Sequence, residues 1–417
     1  MRSPNGLSLL QVATRFSAHP SAGTEFRNFH LAKALARHMA VTHVAFMAAD
    51  APASAPREMV EAGIRMIGVP RAGSYRVADL VRGIAGPRPF SILNYTRAGM
   101  KQTIRKLLDE RRYDIVLLEG VHMAEYLALL RVVPSRPAVV CDWHNIESEI
   151  LFRYSRNAPG RARQWYARTA ADKLQQYERR FVNRCDLHVT VSERDRATVT
   201  GAYGAAAPVV VIENGVPLED YADARPGRGA KRFRLLFVGA MDYHANIEAA
   251  CRFAAEVWPQ VRAAVPHLVF TIVGRKPAAA VLGLAGNGIE VTGTVADVRP
   301  YYAEAAAAVI PLQVGGGTRI KMLEAMAATV PVVSTRLGAE GLDAIPGKHY
   351  LQADSPAAML AALTGICRDP ERAAQLAESG REFVRRHHGW DALGDRLANH
   401  LLTLRGNVSA RAAGAGI

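Results

Sequence analysis

Pro311-Leu312-Gln313-Val314-Gly315-Gly316-Gly317-Thr318-Arg319-Ile320-Lys321-Met322-Leu323-Glu324-Ala325-Met326-Ala327 is the stretch whose reading decides the fold. The apolar run Ala305 to Ile310 before it has the character of a buried strand. Gly315, Gly316 and Gly317 allow close backbone approach, and Thr318 is placed to cap a helix. Ile320, Leu323, Met326 and Ala327 then recur at helical spacing, and Pro331 to Thr335 is a second apolar strand. Strand, glycine loop, helix and strand make a parallel βαβ unit with an anion site at the helix start. Arg319 and Lys321 add positive charge there, where cations oppose the helix dipole unless an anion lies between them. Glu324 lies one turn beyond Lys321 on the same face, where its carboxylate would accept ribose hydroxyls or, more simply, pair with Lys321.

Working outward, apolar strands alternate with helical patterns on both sides. Ser8–Thr14, Val41–Met47, Asp114–Glu119, Ala138–Asp142, Asp186–Ser192 and Val209–Ile212 are strands of a first half. Arg234–Gly239, His267–Gly274, Ile289–Gly293 and the strands around the glycine loop form a second. Helices are expected over Ala245–Val265, Val298–Ala306, Pro356–Cys367, Pro370–His387 and Trp390–Leu404. Asn214-Gly215-Val216-Pro217 breaks the alternation with turn residues and marks the hinge. The expected fold is α/β, two Rossmann-like doubly wound parallel-sheet domains facing across a cleft. The first covers residues 1–215, with helix 390–405 packing back on it, the second covers 216–389, and 406–417 is expected to be a disordered tail. A length of 417 residues suits two such domains.

Hydrophobic content of 49% with mean hydropathy near zero fits a globular chain, and no apolar run is long enough for a membrane span. The amino terminus has no clean signal core, and Cys141, Cys185, Cys251 and Cys367 form no close pair, so a reducing cytoplasm is expected. Net charge is +14 with a pI near 9.9. Residues 1–222 hold about 30 Lys and Arg against about 21 Asp and Glu. Arg71–Arg112 and Arg153–Arg184 concentrate this charge, the second interleaved with Phe152, Tyr154, Trp165, Tyr166 and Phe181. Such segments suit a solvated helix face or an anionic membrane surface; nucleic acid is the least expected partner.

The glycine-loop segment resembles the donor-nucleotide motif of the group 1 retaining glycosyltransferases, whose two-Rossmann architecture is called GT-B. The resemblance covers nearly the whole chain and is strongest from Asn214 to Gly341. It includes the Asn214-Gly215-Val216 passage between domains. In that family a Glu-x7-Glu pair sits at this segment. Glu324 matches the second glutamate, and Gly316 stands where the first would be, as in the GGGT-R-x-K-x-x-E variant of a subset. The resemblance implies a retaining glycosyltransferase that takes a sugar from a nucleotide diphosphate, UDP favoured and GDP next. The acceptor it implies is a hydroxyl of a lipid-linked or surface glycan.

By the same resemblance His144 lies beside the donor sugar, and Gly239, Gly274 and Arg275 border the nucleotide, Arg275 in the base-binding turn. Gly23 and Thr24 belong to a first-domain loop facing donor phosphate or acceptor, and Arg27 would reach the acceptor side. An Arg/Lys pair common in the family after the strand at Phe237 is replaced by Ala240-Met241-Asp242-Tyr243, which leaves the diphosphate to Arg319 and Lys321. Asn246 is expected to cap the next helix. No Asp-x-Asp motif or metal-spaced cluster is visible in the sequence, so no metal and no cofactor is expected. Gly316 and the missing pair also leave open a nucleotide-sugar-binding partner of an active transferase. A dinucleotide oxidoreductase is disfavoured, because no Gly-x-Gly-x-x-Gly follows the first strand.

Overall fold

The computed structural model describes residues 6–15, 23–48, 56–71, 76–130, 136–157, 160–222, 233–314 and 319–414. The chain divides into two compact units, one of residues 1–213 with 393–417, the other of residues 214–392.

The sheet of the first unit contains β1 (Ser8–Ala13), β2 (Ala40–Ala48), β3 (Arg65–Arg71), β4 (Ile115–Glu119), β5 (Ala138–Trp143), β6 (Leu187–Thr190) and β7 (Val209–Val211). All pairs are parallel, in the order β3-β2-β1-β4-β5-β6-β7. Every residue of β4 and β5 is buried, as expected of strands covered by helices on both faces. Strand order reverses direction at β1, between β2 and β4. Leu9 therefore pairs with Val41 on one side and Ile115 on the other. The carboxyl ends of β1, β4 and β5 open at this switch, where α/β proteins place their ligands.

The second unit contains β8 (Arg234–Val238), β9 (Val269–Val273), β10 (Ile289–Gly293), β11 (Ala305–Ile310), β12 (Val332–Ser334) and β13 (Leu351–Gln352). Its order is β10-β9-β8-β11-β12-β13, again parallel throughout, with the switch between β8 and β11. The core around β8, β9, β11 and β12 includes Leu235, Phe237, Phe253, Phe270, Ile272 and Val309. Two parallel-sheet α/β units are the architecture expected from the sequence.

Several local readings are corrected. β3 was not foreseen: it lies at the sheet edge, is mostly half-exposed and carries Pro70, so its apolar signal is diluted. The helix expected over Ala245–Val265 is two, His244–Glu256 and Trp258–Ala264, because Pro259 has no N–H to continue the ladder. The pattern read as helix over Val298–Ala306 holds only for Arg299–Ala303, and β11 begins at Ala305. The final helix runs Trp390–Gly414, so residues 406–414 are helical, in keeping with their alanine content. A Cβ at Gly394 would come within 2.2 Å of Ala34 Cβ, so glycine there lets this helix lie against helix Gly23–Leu35.

Candidate functional site

In the second unit, two backbone turns close on each other beside the switch. Gly239 follows β8 and Gly274 follows β9. A Cβ on Gly274 would fall 1.7 Å from Gly239 O, so no larger residue fits there. The donor-loop residues Gly315, Gly316, Gly317 and Thr318 lie outside the described residues. Arg319 occupies the N-cap position of helix Ile320–Ala327. That helix has no acid in its first turn, so its dipole and the two cations at its start add as positive charge.

Three side chains meet at this helix start. Lys321 Nζ donates to Asn246 Oδ1 at 2.6 Å and lies 5.0 Å from the centre of the Phe237 ring. Desolvation and, next, the charge of Arg319 push its pKa down to about 8, against the pull of Glu324. The alternative pairing of Lys321 with Glu324 is not formed, and Lys321 bonds to a neutral amide instead. Arg319 is 5% exposed and donates to Glu340 Oε2 at 3.2 Å, while its Nε has no partner. Burial lowers its pKa as well. Glu324 Oε2 accepts from Tyr302 Oη at 3.4 Å. Desolvation raises Glu324 to about 7, opposed by hydrogen bonds from Tyr221 and Tyr302 and by the Lys321 charge. Two crowded cations with depressed pKa values beside a desolvated carboxylate have the chemistry to take an anion and hydroxyls.

Asn246 was expected to cap its helix. The cap position is Tyr243, and Asn246 sits inside the helix with Nδ2 on Ala240 O (2.9 Å) and Oδ1 on Lys321. It thus joins the β8 turn to the cation site. Gly239 faces both, since a Cβ there would lie 2.8 Å from Asn246 Nδ2 and 3.4 Å from Lys321 Nζ. Arg275, after β9, is exposed, and its backbone O accepts from Met241 N at 3.0 Å.

In the first unit, His144 follows β5 and is buried. Its Nε2 lies 2.8 Å from Glu119 Oε2, at the carboxyl end of the neighbouring strand β4. Glu119 Oε1 accepts from Gln11 Nε2 on β1, and Gln11 Oε1 lies 2.8 Å from His43 Nδ1 on β2. With the Asn28 amide turned so that both its ends are satisfied, its nitrogen faces Glu119 Oε2 and Thr24 O, both at 2.9 Å. Burial pulls the His144 pKa down, but the Glu119 hydrogen bond and the Asp142 charge win, and it stands above the usual value. His144 Nδ1 is buried without a partner. The network thus orients one ring nitrogen and leaves the other without a protein partner. Glu119, Asp142 and His144 place one ligand atom each within 4.8 Å of one another. Each is engaged by protein hydrogen bonds, and the group is a hydrogen-bond network.

Arg27 is not placed as the sequence suggested. Its guanidinium is bidentate on Asp142 (Nε–Oδ2 2.8 Å, Nη2–Oδ1 3.1 Å) and donates to Glu213 O at 2.8 Å, with 1% of the residue exposed. Burial demands such a partner, so Arg27 clamps helix Gly23–Leu35 to the end of β5 instead of facing an acceptor. Gly23 begins that helix and Thr24 lies in its first turn. The sequence reading missed Glu119, Tyr221 and Tyr302, and gave Asn246 only a capping role. Glu119 could have been found by the rule that found His144, a polar residue at the carboxyl end of a central strand.

Residues 232–369 match the family described as glycosyl transferases group 1, and residues 22–220 match glycosyltransferase family 4. A GDP-mannose-dependent alpha-(1-6)-phosphatidylinositol monomannoside mannosyltransferase of Mycolicibacterium smegmatis is 28% identical over 246 residues. That match takes in 54% of this chain and spans 64% of the relative's length. Sucrose-phosphate synthase of Thermosynechococcus elongatus superposes with TM-score 0.69 at 17% identity, covering 96% of this chain and 100% of that one. Anabaena HepE in complex with UDP gives TM-score 0.62 at 14% identity, covering 95% and 100%. Both structures share the fold.

Proposed function

The chain belongs to the group 1 glycosyltransferases, and on that premise we propose that it moves a sugar from a nucleoside diphosphate donor to a hydroxyl of a lipid-linked or surface-glycan acceptor. The observation that carries the donor assignment is the trio Arg319, Lys321 and Glu324 at one helix start. The two cations take the diphosphate, whose charge grows as it leaves. The Glu324 carboxylate takes the ribose hydroxyls. A UDP-sugar is the first choice, supported by the UDP complex of HepE. A GDP-sugar is the second, supported by the name of the mycolicibacterial relative.

The reaction we assign proceeds with retention. The bond from the anomeric carbon to the departing diphosphate breaks, and a bond from the acceptor oxygen forms on the same face. The acceptor proton passes to a departing phosphate oxygen. His144, held by Glu119, donates or accepts one hydrogen bond to the transferred sugar. The donor charge rests on Arg319, Lys321 and the helix dipole, with no metal assigned a step.

A lipid-linked acceptor is supported by the first unit's surface. Leu80, Val81 and Ile84 are exposed on helix Val77–Ala85, and Tyr154 and Trp165 are exposed on the arginine-rich helices. Peripheral attachment is the reading in keeping with this, since among the described residues no helix is long and apolar enough to cross a membrane. The test of the donor site is thermal stabilisation by UDP, GDP, ADP, CMP and NAD, in wild type and Glu324→Ala. A ligand at about 100 times its Kd adds roughly 2.7 kcal/mol, a shift of about 5–10 °C. One nucleoside diphosphate should give that shift and lose it in Glu324→Ala. No shift with any of the five would sink the donor assignment.

A further inference from the structure

The second unit also carries a cavity of about 560 Å³ that none of the donor residues lines. It lies between the end of helix Pro356–Arg368, the start of helix Pro370–His387 and the turn before β13. That volume falls in the range of small-molecule sites. Ile366, Ala373 and Leu376 give it an apolar floor, each less than 9% exposed. Lys348, Arg368 and Arg372 stand at its rim, all exposed.

The rim cations are unlike those nearby. Arg385 and Arg386 on the same helix both reach Glu382. Lys348, Arg368 and Arg372 have no ion-pair partner among the described residues. The acid of the wall, Asp369, caps the second helix, where it accepts from Arg372 N at 3.0 Å. Arg368 ends a helix and is favoured there by the dipole. Arg372 lies in the first turn of the next, beside the cap carboxylate of Asp369 and beside Glu371. Gly365 keeps the groove open, since a Cβ at this exposed helical position would meet nothing within 4 Å. A helix-interior glycine costs about 0.5–1 kcal/mol relative to alanine, and no close packing at Gly365 explains that cost.

We propose that this groove binds an anionic amphiphile, with a phosphate head held by Lys348, Arg368 and Arg372 and an aliphatic chain laid over Ile366, Ala373 and Leu376. Guanidinium groups in pairs match phosphate geometry, and the apolar floor is what a bare sugar phosphate would not need. This site stands apart from the donor site and does not depend on it.

Calorimetric titration of the full chain with dihexanoyl phosphatidic acid, which is soluble as a monomer, tests the proposal. Dihexanoyl phosphatidylcholine and inorganic phosphate are the comparison ligands. Two variants separate head from chain: Arg368→Gln with Arg372→Gln removes the charge, and Gly365→Leu fills the groove with the charge kept. Phosphatidic acid should bind wild type and bind each variant about tenfold more weakly or less. A single cooperative melting transition within about 3 °C of wild type in both variants shows that they fold. Equal phosphatidic acid affinity in either variant overturns the proposal. So does phosphatidylcholine binding as tightly as phosphatidic acid, or inorganic phosphate binding as tightly as the lipid.

Discussion

The two units treat charge at their switch points in opposite ways. In the first, Arg27 meets Asp142 in a bidentate pair, and Glu119 is held by Gln11, Asn28 and His144. In the second, Lys321 meets a neutral amide and Arg319 an exposed carboxylate, and both have lowered pKa values. The first cluster is satisfied by the protein at every group but His144 Nδ1. The second is left short of negative charge. A network satisfied by the protein itself stabilises and orients, whereas one left short of negative charge binds.

The largest effect should come from breaking the first network. Asp142→Ala leaves the Arg27 guanidinium buried and unpaired, which costs about 3–5 kcal/mol. Urea unfolding of the full chain measures it. Arg27→Met with Asp142→Leu should recover most of the loss, because the penalty belongs to the orphaned charge. A cost under about 1 kcal/mol for Asp142→Ala would mean that the first cluster does not hold its unit together.

Lys321→Met should do the reverse: little to stability, much to binding. Removing a desolvated cation relieves repulsion with Arg319 and loses one bond to Asn246, so the melting temperature should move by less than about 3 °C. Donor nucleotide affinity should fall roughly 10–100-fold, the loss of a charge-assisted phosphate contact. A variant that melts early and still binds would erase the contrast between the units.

The contrast has a pH signature. Lys321 is protonated below about pH 8 in the free protein, and the diphosphate favours the charged form. Nucleotide affinity should therefore be full below pH 8 and decline as pH rises through it. The unliganded fold carries the opposite sign. Between pH 8 and the usual lysine value, the unfolded chain binds more protons at Lys321, so stability rises with pH there. Lys321→Arg should flatten the affinity profile, since guanidinium stays charged. A decline that persists in Lys321→Arg would move its cause to another group.

The fold was legible because parallel strands write themselves as unbroken apolar runs. Ile115–Glu119 and Ala138–Trp143 are buried along their whole length. β3 was not legible, because an edge strand with Arg65 and Arg71 at its ends shares little of that pattern. The grouping of Arg319, Lys321 and Glu324 was legible because they lie within two turns of one helix start. Their partners were not. Asn246 comes from 75 residues before Lys321, and only the packing of β8 beside β11 brings them together. Arg27 shows the other failure. A cation near a glycine loop looks like a ligand until the structure shows its carboxylate, which is 115 residues away in sequence.

The smallest expected effect sharpens the role of the first unit. Glu119→Gln keeps the size and one acceptor of the carboxylate but removes its charge. The hydrogen bond to Glu119 is the main influence that lifts His144 against burial. Without it the imidazole pKa should drop below its wild-type value, read by NMR titration of the His144 ring. A group with a raised folded pKa adds stability below its unfolded value and loses it as pH rises through the folded value. The variant should therefore lose about 1 kcal/mol near pH 6 and less above the His144 titration. If His144 is a positioned hydrogen-bond partner for the sugar, Glu119→Gln should lower kcat with nucleotide affinity unchanged. A pKa that moves with no change in kcat would leave His144 a structural residue and place the ligand chemistry in the second unit alone.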